Sequence, residues 1–180
     1  MSADACTALA RRIYETAHIT GEFTLRSGAK SNEYFDKYLF ESDPKLLRDI
    51  AAAIVPLVPP EIDALAGLEM GGIPIATLLS QLTGLPTLFV RKKAKDYGTC
   101  KISEGGPVRG RKLLVVEDVV TSGGAILDAA KALVAEGAVL GEVVCVIDRE
   151  SGGGGNLAKV GLTLKPLFTM TELKQAGGGA

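Results

Sequence analysis

Residues 115–125 read VVEDVVTSGGA, and this stretch contains both a structural and a chemical signal. An apolar run ends at two adjacent carboxylates, Glu117 and Asp118. The small residues 121–125 follow and lead into an amphipathic segment that extends to Glu136. This order predicts a buried strand, a short loop and a helix N-terminus in direct succession.

The loop at residues 121–125 has the properties of a phosphate-binding site. Free backbone N–H groups and the positive end of a helix dipole meet there, and both stabilise a phosphate dianion. Thr121 and Ser122 add hydroxyl donors. Because Glu117 and Asp118 would repel a phosphate, we expect them to accept hydrogen bonds from sugar hydroxyls or to lie behind a metal ion. A ribose 5-phosphate combines the two chemistries.

Apolar strands alternate with amphipathic helices on both sides of this stretch. The predicted helices cover residues 4–17, 44–55, 74–82 and 125–137, and the predicted strands cover 21–25, 33–39, 64–68, 87–91, 113–116 and 143–147. Unbroken apolar strands between helices indicate an α/β fold with a central parallel sheet flanked by helices. The glycine-rich segments 152–155 and 177–179 are predicted to be flexible loops. A length of 180 residues without repeats predicts one domain, 1–180.

Charge and composition exclude several classes of function. The net charge of −1 gives no reason to expect a nucleic-acid or membrane partner. No apolar run approaches the roughly 20 residues of a membrane span, and the N-terminus has the wrong charge polarity for a secretory signal. Cys6, Cys100 and Cys145 lack a C-x-x-C spacing and are interpreted as reduced thiols. The expected location is cytoplasmic. His18, the single histidine, is expected to have a structural or solvent-facing role.

Residues 115–125 resemble the 5-phosphoribosyl 1-diphosphate (PRPP) signature of type I phosphoribosyltransferases. They match neither a Walker loop nor a Rossmann glycine motif. An ordinary strand-to-helix turn is the alternative, but an acidic pair at the strand end is uncommon there. The resemblance implies that PRPP contacts Glu117, Asp118, Val119, Val120, Thr121, Ser122, Gly123, Gly124 and Ala125.

A cluster of cations follows the predicted strand at 87–91. Arg91, Lys92, Lys93 and Lys95 place four positive charges in five residues, which suits a diphosphate beside the PRPP signature. A solvated charged loop is the alternative. The segment that follows, about residues 95–110, contains several glycines and few apolar residues, so we predict a mobile loop.

Four stretches together resemble the orotate phosphoribosyltransferases: residues 23–36, 67–74, 91–99 and 146–153. They occur in the family's order and are spread over residues 23–153. The resemblance implies the type I phosphoribosyltransferase fold with a small N-terminal hood at about 18–40. It also implies that orotate and PRPP give orotidine 5′-monophosphate and diphosphate, a step of pyrimidine (UMP) biosynthesis. A homodimer is implied, with mobile loops shared between subunits, and so is Mg²⁺ bound mainly through diphosphate and water.

The family's functional residues map onto this sequence one by one. Lys95 and Asp96 correspond to the residues closest to the chemistry. PRPP is expected to contact Arg91, Lys92, Lys95, Tyr97 and Gly71 in addition to the signature. Orotate is expected to contact Arg26, Tyr34, Phe35, Thr121 and Arg149, with Arg149 as the bidentate partner of its carboxylate. No protein metal ligand is expected.

Three positions depart from the common pattern of that family. Many members have His where Tyr97 stands and Lys where Gly71 and Arg26 stand. Tyr97 donates one hydrogen bond but carries no positive charge at neutral pH. Because Gly71 removes a cation from the diphosphate loop, we expect diphosphate binding to depend more on the cluster at 91–95.

Three other functions remain as alternatives. A purine phosphoribosyltransferase would share the PRPP signature but would not need Arg149 as a carboxylate partner. A PRPP-sensing regulator would need a nucleic-acid surface or a winged helix, and the first 20 residues are too short for one. Half of a bifunctional synthase would need a decarboxylase, which we expect only as a separate subunit because the chain ends at Ala180.

Overall fold

The computed structural model describes residues 2–24, 28–93 and 101–178. Arg26, Lys95, Asp96 and Tyr97, which the sequence assigns to the site, lie outside these ranges, as does Cys100. The helices are α1 Ala3–Ala17, α2 Lys37–Ser42, α3 Pro44–Ile54, α4 Gly72–Thr83, α5 Gly124–Ala135, α6 Gly153–Ala158 and α7 Met170–Ala176. The strands are β1 His18–Thr24, β2 Lys30–Phe35, β3 Ala64–Leu68, β4 Thr87–Val90, β5 Ser103–Glu104, β6 Lys112–Val120, β7 Val139–Asp148 and β8 Thr163–Thr169.

The main sheet has six strands in the order β5-β4-β3-β6-β7-β8. All neighbouring pairs are parallel except β4 and β5, which are antiparallel. The chain leaves β3 toward β4 on one side and returns to β6 on the other, so the strand order reverses between β3 and β6. A crevice opens at the carboxyl ends of strands at such a reversal, and ligands bind there in open α/β sheets.

Helices cover both faces of this sheet. Helices α1, α3 and α4 pack on one face, where Leu65, Leu114 and Val144 are fully buried. Helix α5 packs on the other face, where Leu113 and Val143 are fully buried. Because residues on both faces are buried, the strands are continuous apolar runs, as the sequence predicted.

Strands β1 and β2 form a separate antiparallel two-stranded sheet at the N-terminal side of the fold. The predicted strand at 33–39 is wrong beyond Phe35. Asp36 accepts a hydrogen bond from the Tyr38 backbone N–H at 3.1 Å and begins α2, whose Phe40 is fully buried. The end cap and the buried aromatic ring therefore favour a helix over continued alternation.

The predicted flexible loop at 152–155 is also wrong, because these glycines begin α6. Gly152 precedes the helix with a φ of +86°, and Leu157 in the helix is fully buried. A Cβ on Gly153 would lie 2.5 Å from the Thr121 carbonyl oxygen. Glycine is required there by close packing of α6 on the 121–125 loop, and the buried leucine holds the helix in place.

Several elements extend beyond their predicted bounds. Strand β6 runs on to Val120, so Glu117 and Asp118 lie within the strand and not after it. Strand β8 and helix α7 were not predicted. Residues 101–110 are better anchored than expected, since Ile102 and Val108 are buried and β5 pairs with β4. Within the described residues, no helix is long and apolar enough to cross a membrane.

Candidate active site

A cavity of about 720 Å³ opens at the carboxyl end of β6. Its lining includes Arg91, Lys92, Lys93, Glu117, Val119, Val120, Thr121, Ser122, Gly123, Gly124 and Ala125. Gly123 immediately precedes α5 with a φ of +80°, a left-handed conformation that glycine adopts without strain. The loop thus turns directly into the helix N-terminus, where backbone N–H groups and the helix dipole favour an anion.

The cations at the end of β4 line the same cavity and are tied to both neighbouring segments. The Arg91 backbone N–H donates to the Ile102 carbonyl at 2.9 Å, and Arg91 Nε lies 3.8 Å from Glu104 Oε1. The Lys92 backbone N–H donates to Glu69 Oε1 at 2.7 Å. These bonds fix the start of the cationic segment against β5 and the segment after β3, and Lys92 and Lys93 line the cavity.

The two carboxylates of β6 lie on opposite faces of the sheet, because successive side chains of a strand alternate. Glu117 lines the cavity, and its Oε1 accepts the Asp118 backbone N–H at 3.0 Å. Asp118 is fully buried on the other face, where it forms an ion pair with Lys37 of α2. A Cβ on Gly71 would overlap the Asp118 carboxylate, so this carboxylate rests directly against the segment after β3.

Burial and mutual repulsion give the carboxyl groups of Glu117, Glu41 and Asp118 different pKa values. Burial, then the charge of Asp118 and a hydrogen bond with it, raises the pKa of Glu117 to about 9. Burial and the same neighbour raise the pKa of Glu41 to about 8. Burial opposes ionisation of Asp118, but hydrogen bonds with Glu117 and Lys37 hold the pKa of Asp118 below its ordinary value. Asp118 is therefore the ionised member of the group at neutral pH.

A second cavity, of about 260 Å³, lies between β2, α1, α7 and the segment after β7. Tyr34, Phe35 and Arg149 line it together with Tyr14, His18, Ser31, Glu33, Met170 and Lys174. His18 Nε2 lies 2.8 Å from Glu33 Oε2, and its ring stacks on Tyr14 with centroids 4.8 Å apart. Three aromatic side chains and two cations, with the single carboxylate of Glu33, give this cavity the character of a site for a flat, anionic ring.

The Arg149 backbone, which follows β7, is held by hydrogen bonds to the end of β6 and within its own turn. Its N–H donates to the Val120 carbonyl at 2.8 Å, next to the phosphate-type loop. Glu150 follows with a φ of +56°, and its carboxylate accepts the Thr171 backbone N–H at 2.9 Å and the Thr171 hydroxyl at 2.6 Å. The Asp148 carboxylate accepts the Glu150 N–H at 2.9 Å. This set of bonds preorganises the Arg149 backbone.

Comparison with known proteins identifies the family. Residues 41–165 match the phosphoribosyl transferase domain. An orotate phosphoribosyltransferase from Nocardioides sp. is 55% identical over 168 residues, which is 93% of this chain and 94% of that protein. The chain belongs to the orotate phosphoribosyltransferases. The resemblance seen in the sequence is thus confirmed.

Solved structures of this family agree with the fold. The Mycobacterium tuberculosis H37Rv orotate phosphoribosyltransferase in complex with Fe(III) dicitrate superimposes with a TM-score of 0.85 at 27% identity, covering 94% of this chain and 98% of that one. The same enzyme in complex with PRPP gives a TM-score of 0.80 at 25% identity, with the same coverage. The type I phosphoribosyltransferase fold predicted from the sequence is confirmed.

The sequence predictions for the site fall into two groups in the structure. The signature loop and the cations Arg91 and Lys92 share the larger cavity, whereas the smaller one contains Tyr34, Phe35 and Arg149. Gly71 and Asp118 meet outside the lining of both. Sequence analysis missed Lys37, which lies within the segment mistaken for a strand, and Glu41, which follows that segment. It also missed Lys174, which belongs to an unpredicted helix. Their positions depend on tertiary packing, and no local motif indicated them.

The raised pKa of Glu41 gives a prediction for stability. The folded protein holds a proton on Glu41 up to about pH 8, whereas the ordinary pKa is 4.5. Between these values the folded state binds more protons than the unfolded state, so this contribution to stability is lost as pH rises. We expect Glu41→Gln, which has no such proton to lose, to flatten the decline of the thermal midpoint between pH 5 and 9.

The control for this measurement is Glu15→Gln, which changes an exposed carboxylate on α1. Its melting curves should follow the wild-type pH dependence. A residual decline in Glu41→Gln is expected toward pH 9, because Glu117 still carries its raised pKa of about 9. Parallel curves for wild type and Glu41→Gln would show that Glu41 is already ionised in the folded protein.

Proposed function

We propose that this chain transfers the 5-phosphoribosyl group of PRPP to orotate, giving orotidine 5′-monophosphate and diphosphate in pyrimidine biosynthesis. The observation that carries this proposal is the adjacency of the two cavities. The Val120 carbonyl, at the start of the anion-binding loop, accepts the N–H of Arg149, which lines the aromatic cavity. A phosphoribosyl donor and a flat acid acceptor would therefore meet at the ends of β6 and β7. Membership of the orotate phosphoribosyltransferases supports the same reaction.

The donor would lie in the larger cavity with its 5-phosphate at the N-terminus of α5. There Thr121 and Ser122 contribute hydroxyls next to the backbone N–H groups. Glu117 faces the same space and would hydrogen-bond the ribose hydroxyls. The diphosphate would extend toward Arg91 and Lys92, whose charges oppose the negative charge that develops on the leaving group.

The acceptor would lie in the smaller cavity, with the orotate ring beside Tyr34 and Phe35 and its carboxylate on Arg149. A ring nitrogen of orotate attacks the anomeric carbon as the bond to diphosphate breaks, through a state with oxocarbenium character. A deprotonated nitrogen is already a good nucleophile. The protein's main task is therefore to align the two substrates and to stabilise the departing diphosphate.

Mg²⁺ fits this arrangement as a companion of the substrate. Among the described residues, no group of three or more His, Cys, Asp or Glu side chains could hold a metal ion. Mg²⁺ usually keeps several waters and binds through one or two carboxylates and substrate phosphates, without an all-protein cage. We propose that it arrives on the diphosphate through phosphate oxygens and water, and when bound it acts as a Lewis acid toward the leaving group.

The test is a spectrophotometric assay that follows orotate loss with PRPP and Mg²⁺. Hypoxanthine, adenine and uracil serve as alternative acceptors under the same conditions. We expect turnover with orotate and none with the other bases, because they lack a carboxylate for Arg149. Turnover of a purine would instead assign the chain a purine phosphoribosyltransferase activity. PRPP binding without turnover of any base would favour a regulator.

We further propose a cytoplasmic homodimer in which Lys95 and Asp96 act at the partner's site, as the family resemblance implies. In a one-to-one mixture of Lys95→Ala and Arg149→Ala chains, random pairing gives half heterodimers, each with one intact site. Recovery of about a quarter of wild-type activity after subunit exchange is expected on this model. No recovery would mean that each site is built from a single chain.

A further inference from the structure

Lys37 occupies a position that the proposed mechanism does not yet use. It is the first residue of α2, and its ammonium forms the ion pair with Asp118 Oδ2. The Lys37 side chain is 32% exposed, whereas the Asp118 side chain is 1% exposed. Lys37 therefore connects a solvent-accessible surface with a carboxylate that solvent does not reach.

The neighbouring glycine explains why the cation comes from α2. A side chain at position 71 has no room, because its Cβ would overlap the Asp118 carboxylate and lie 2.7 Å from Glu41 Oε1. The lysine that many family members carry at this position would require the Asp118 and Glu41 side chains to move. In this chain the ammonium beside the segment after β3 belongs to Lys37.

Acidic groups surround Asp118, so the charge of Lys37 favours its ionised form, together with the hydrogen bond from Glu117. Glu41 approaches from α2, Asp36 lies just before that helix, and Glu117 is adjacent on β6; all are acidic. Lys37 is the cation that the structure pairs with Asp118. Without the ammonium, a proton shared among these carboxyl groups would settle on Asp118 more readily.

We propose that Lys37 is a positioning residue of the PRPP site, where its ammonium holds the buried Asp118 carboxylate against Gly71 and so fixes the end of β6 relative to the segment after β3. This inference rests on the proposed use of PRPP. Asp118 Oδ1 accepts the Val119 backbone N–H while Oδ2 meets Lys37, so both oxygens are oriented before a ligand arrives. Because β6 leads directly into the anion-binding loop, this ion pair also holds that loop in place.

Lys37→Met tests the proposal because it preserves length and helix propensity and removes the charge. We expect KM for PRPP to rise by about tenfold or more, since hydrogen bonds to charged groups contribute roughly 1.5–3 kcal/mol. KM for orotate should stay within about twofold. The acid limb of the kcat/KM profile for PRPP should move to higher pH, because Asp118 would then take a proton more easily.

Two further variants separate positioning from folding. Lys37→Arg retains the charge and should restore both KM for PRPP and the acid limb to near wild type. Lys45→Met, which changes an exposed lysine on α3, should leave both unchanged. A Lys37→Met protein with wild-type KM for PRPP and an unshifted acid limb would overturn the proposal, even if its melting temperature were lower.

Calorimetry with PRPP and Mg²⁺ keeps this inference separate from the proposed function. If the wild-type chain turns over no base but binds PRPP, the reaction assignment fails. Weaker binding of PRPP by Lys37→Met than by wild type would then still support the role of Lys37. Equal binding would overturn it.

Discussion

Arg149→Ala is expected to lower kcat/KM for orotate by about a thousandfold, because truncation of one partner of a desolvated charge pair costs roughly 2–5 kcal/mol. Arg149 lines the smaller cavity, and its guanidinium is the natural bidentate partner of the orotate carboxylate. Its side chain plays no part in the larger cavity, so KM for PRPP should change by less than about threefold. Steady-state kinetics with each substrate varied in turn measure both effects.

Two variants make this prediction specific. Arg149→Lys retains the charge but loses the planar fork, so we expect a loss between those of wild type and Arg149→Ala. Arg48→Ala removes an exposed arginine from α3, whose side chain is 70% exposed, and should leave both KM values unchanged. A thousandfold loss that fell equally on KM for PRPP would mean that Arg149→Ala had disturbed the adjoining loop through Val120.

The parallel sheet could be predicted because its strands are buried on both faces and are therefore continuous apolar runs. The limits of those strands were harder to predict. Glu117 and Asp118 end the apolar run in the sequence, yet β6 continues through them to Val120. Pairing with β7 as far as Asp148 extends the strand, and burial of the carboxylates depends on Lys37 and on protonation. Neither the pairing with β7 nor the contact with Lys37 can be recognised from the residues next to Glu117 and Asp118 in the sequence.

Residues of the candidate site likewise differ in whether a local segment or tertiary packing places them. Residues that lie together in one segment, such as Thr121–Ser122 and the cations at 91–93, were predicted because their chemistry is local. Lys37 and Lys174 were missed because they reach the site only through the packing of α2 and α7. Gly71 was recognised as a departure from the family pattern, but its reason, the carboxylate of Asp118 behind it, required the structure.

The reversal of strand order between β3 and β6 explains why so many separate segments contribute. The segment after β3 carries Gly71, and the segment after β6 carries the anion-binding loop. Strands β4 and β7 flank this pair, and Arg91 and Arg149 directly follow them. Four consecutive strand ends thus place glycine, cation and hydroxyl groups around one crevice. A substrate with separated phosphates is suited to such a distribution.

Ser122→Asp is expected to abolish measurable PRPP binding, with a rise in KM of more than about a thousandfold, because it places a carboxylate where the 5-phosphate dianion must lie. Ser122 is exposed in the loop before α5, so the substitution requires no repacking of the core. An acidic side chain near a helix N-terminus favours folding. Stability and function should therefore change in opposite directions, which a loss of folding cannot produce.

The measurements are PRPP titration by calorimetry and thermal melting without ligand. Ser122→Ala, which removes only a hydroxyl, should weaken PRPP binding by about tenfold or less. Ser2→Asp makes the same acidic change at the N-cap of α1, remote from the crevice, and should leave PRPP affinity unchanged. If Ser122→Asp bound PRPP as well as Ser122→Ala did, the 5-phosphate would lie elsewhere, and the cationic segment at 91–93 would be the next position to test.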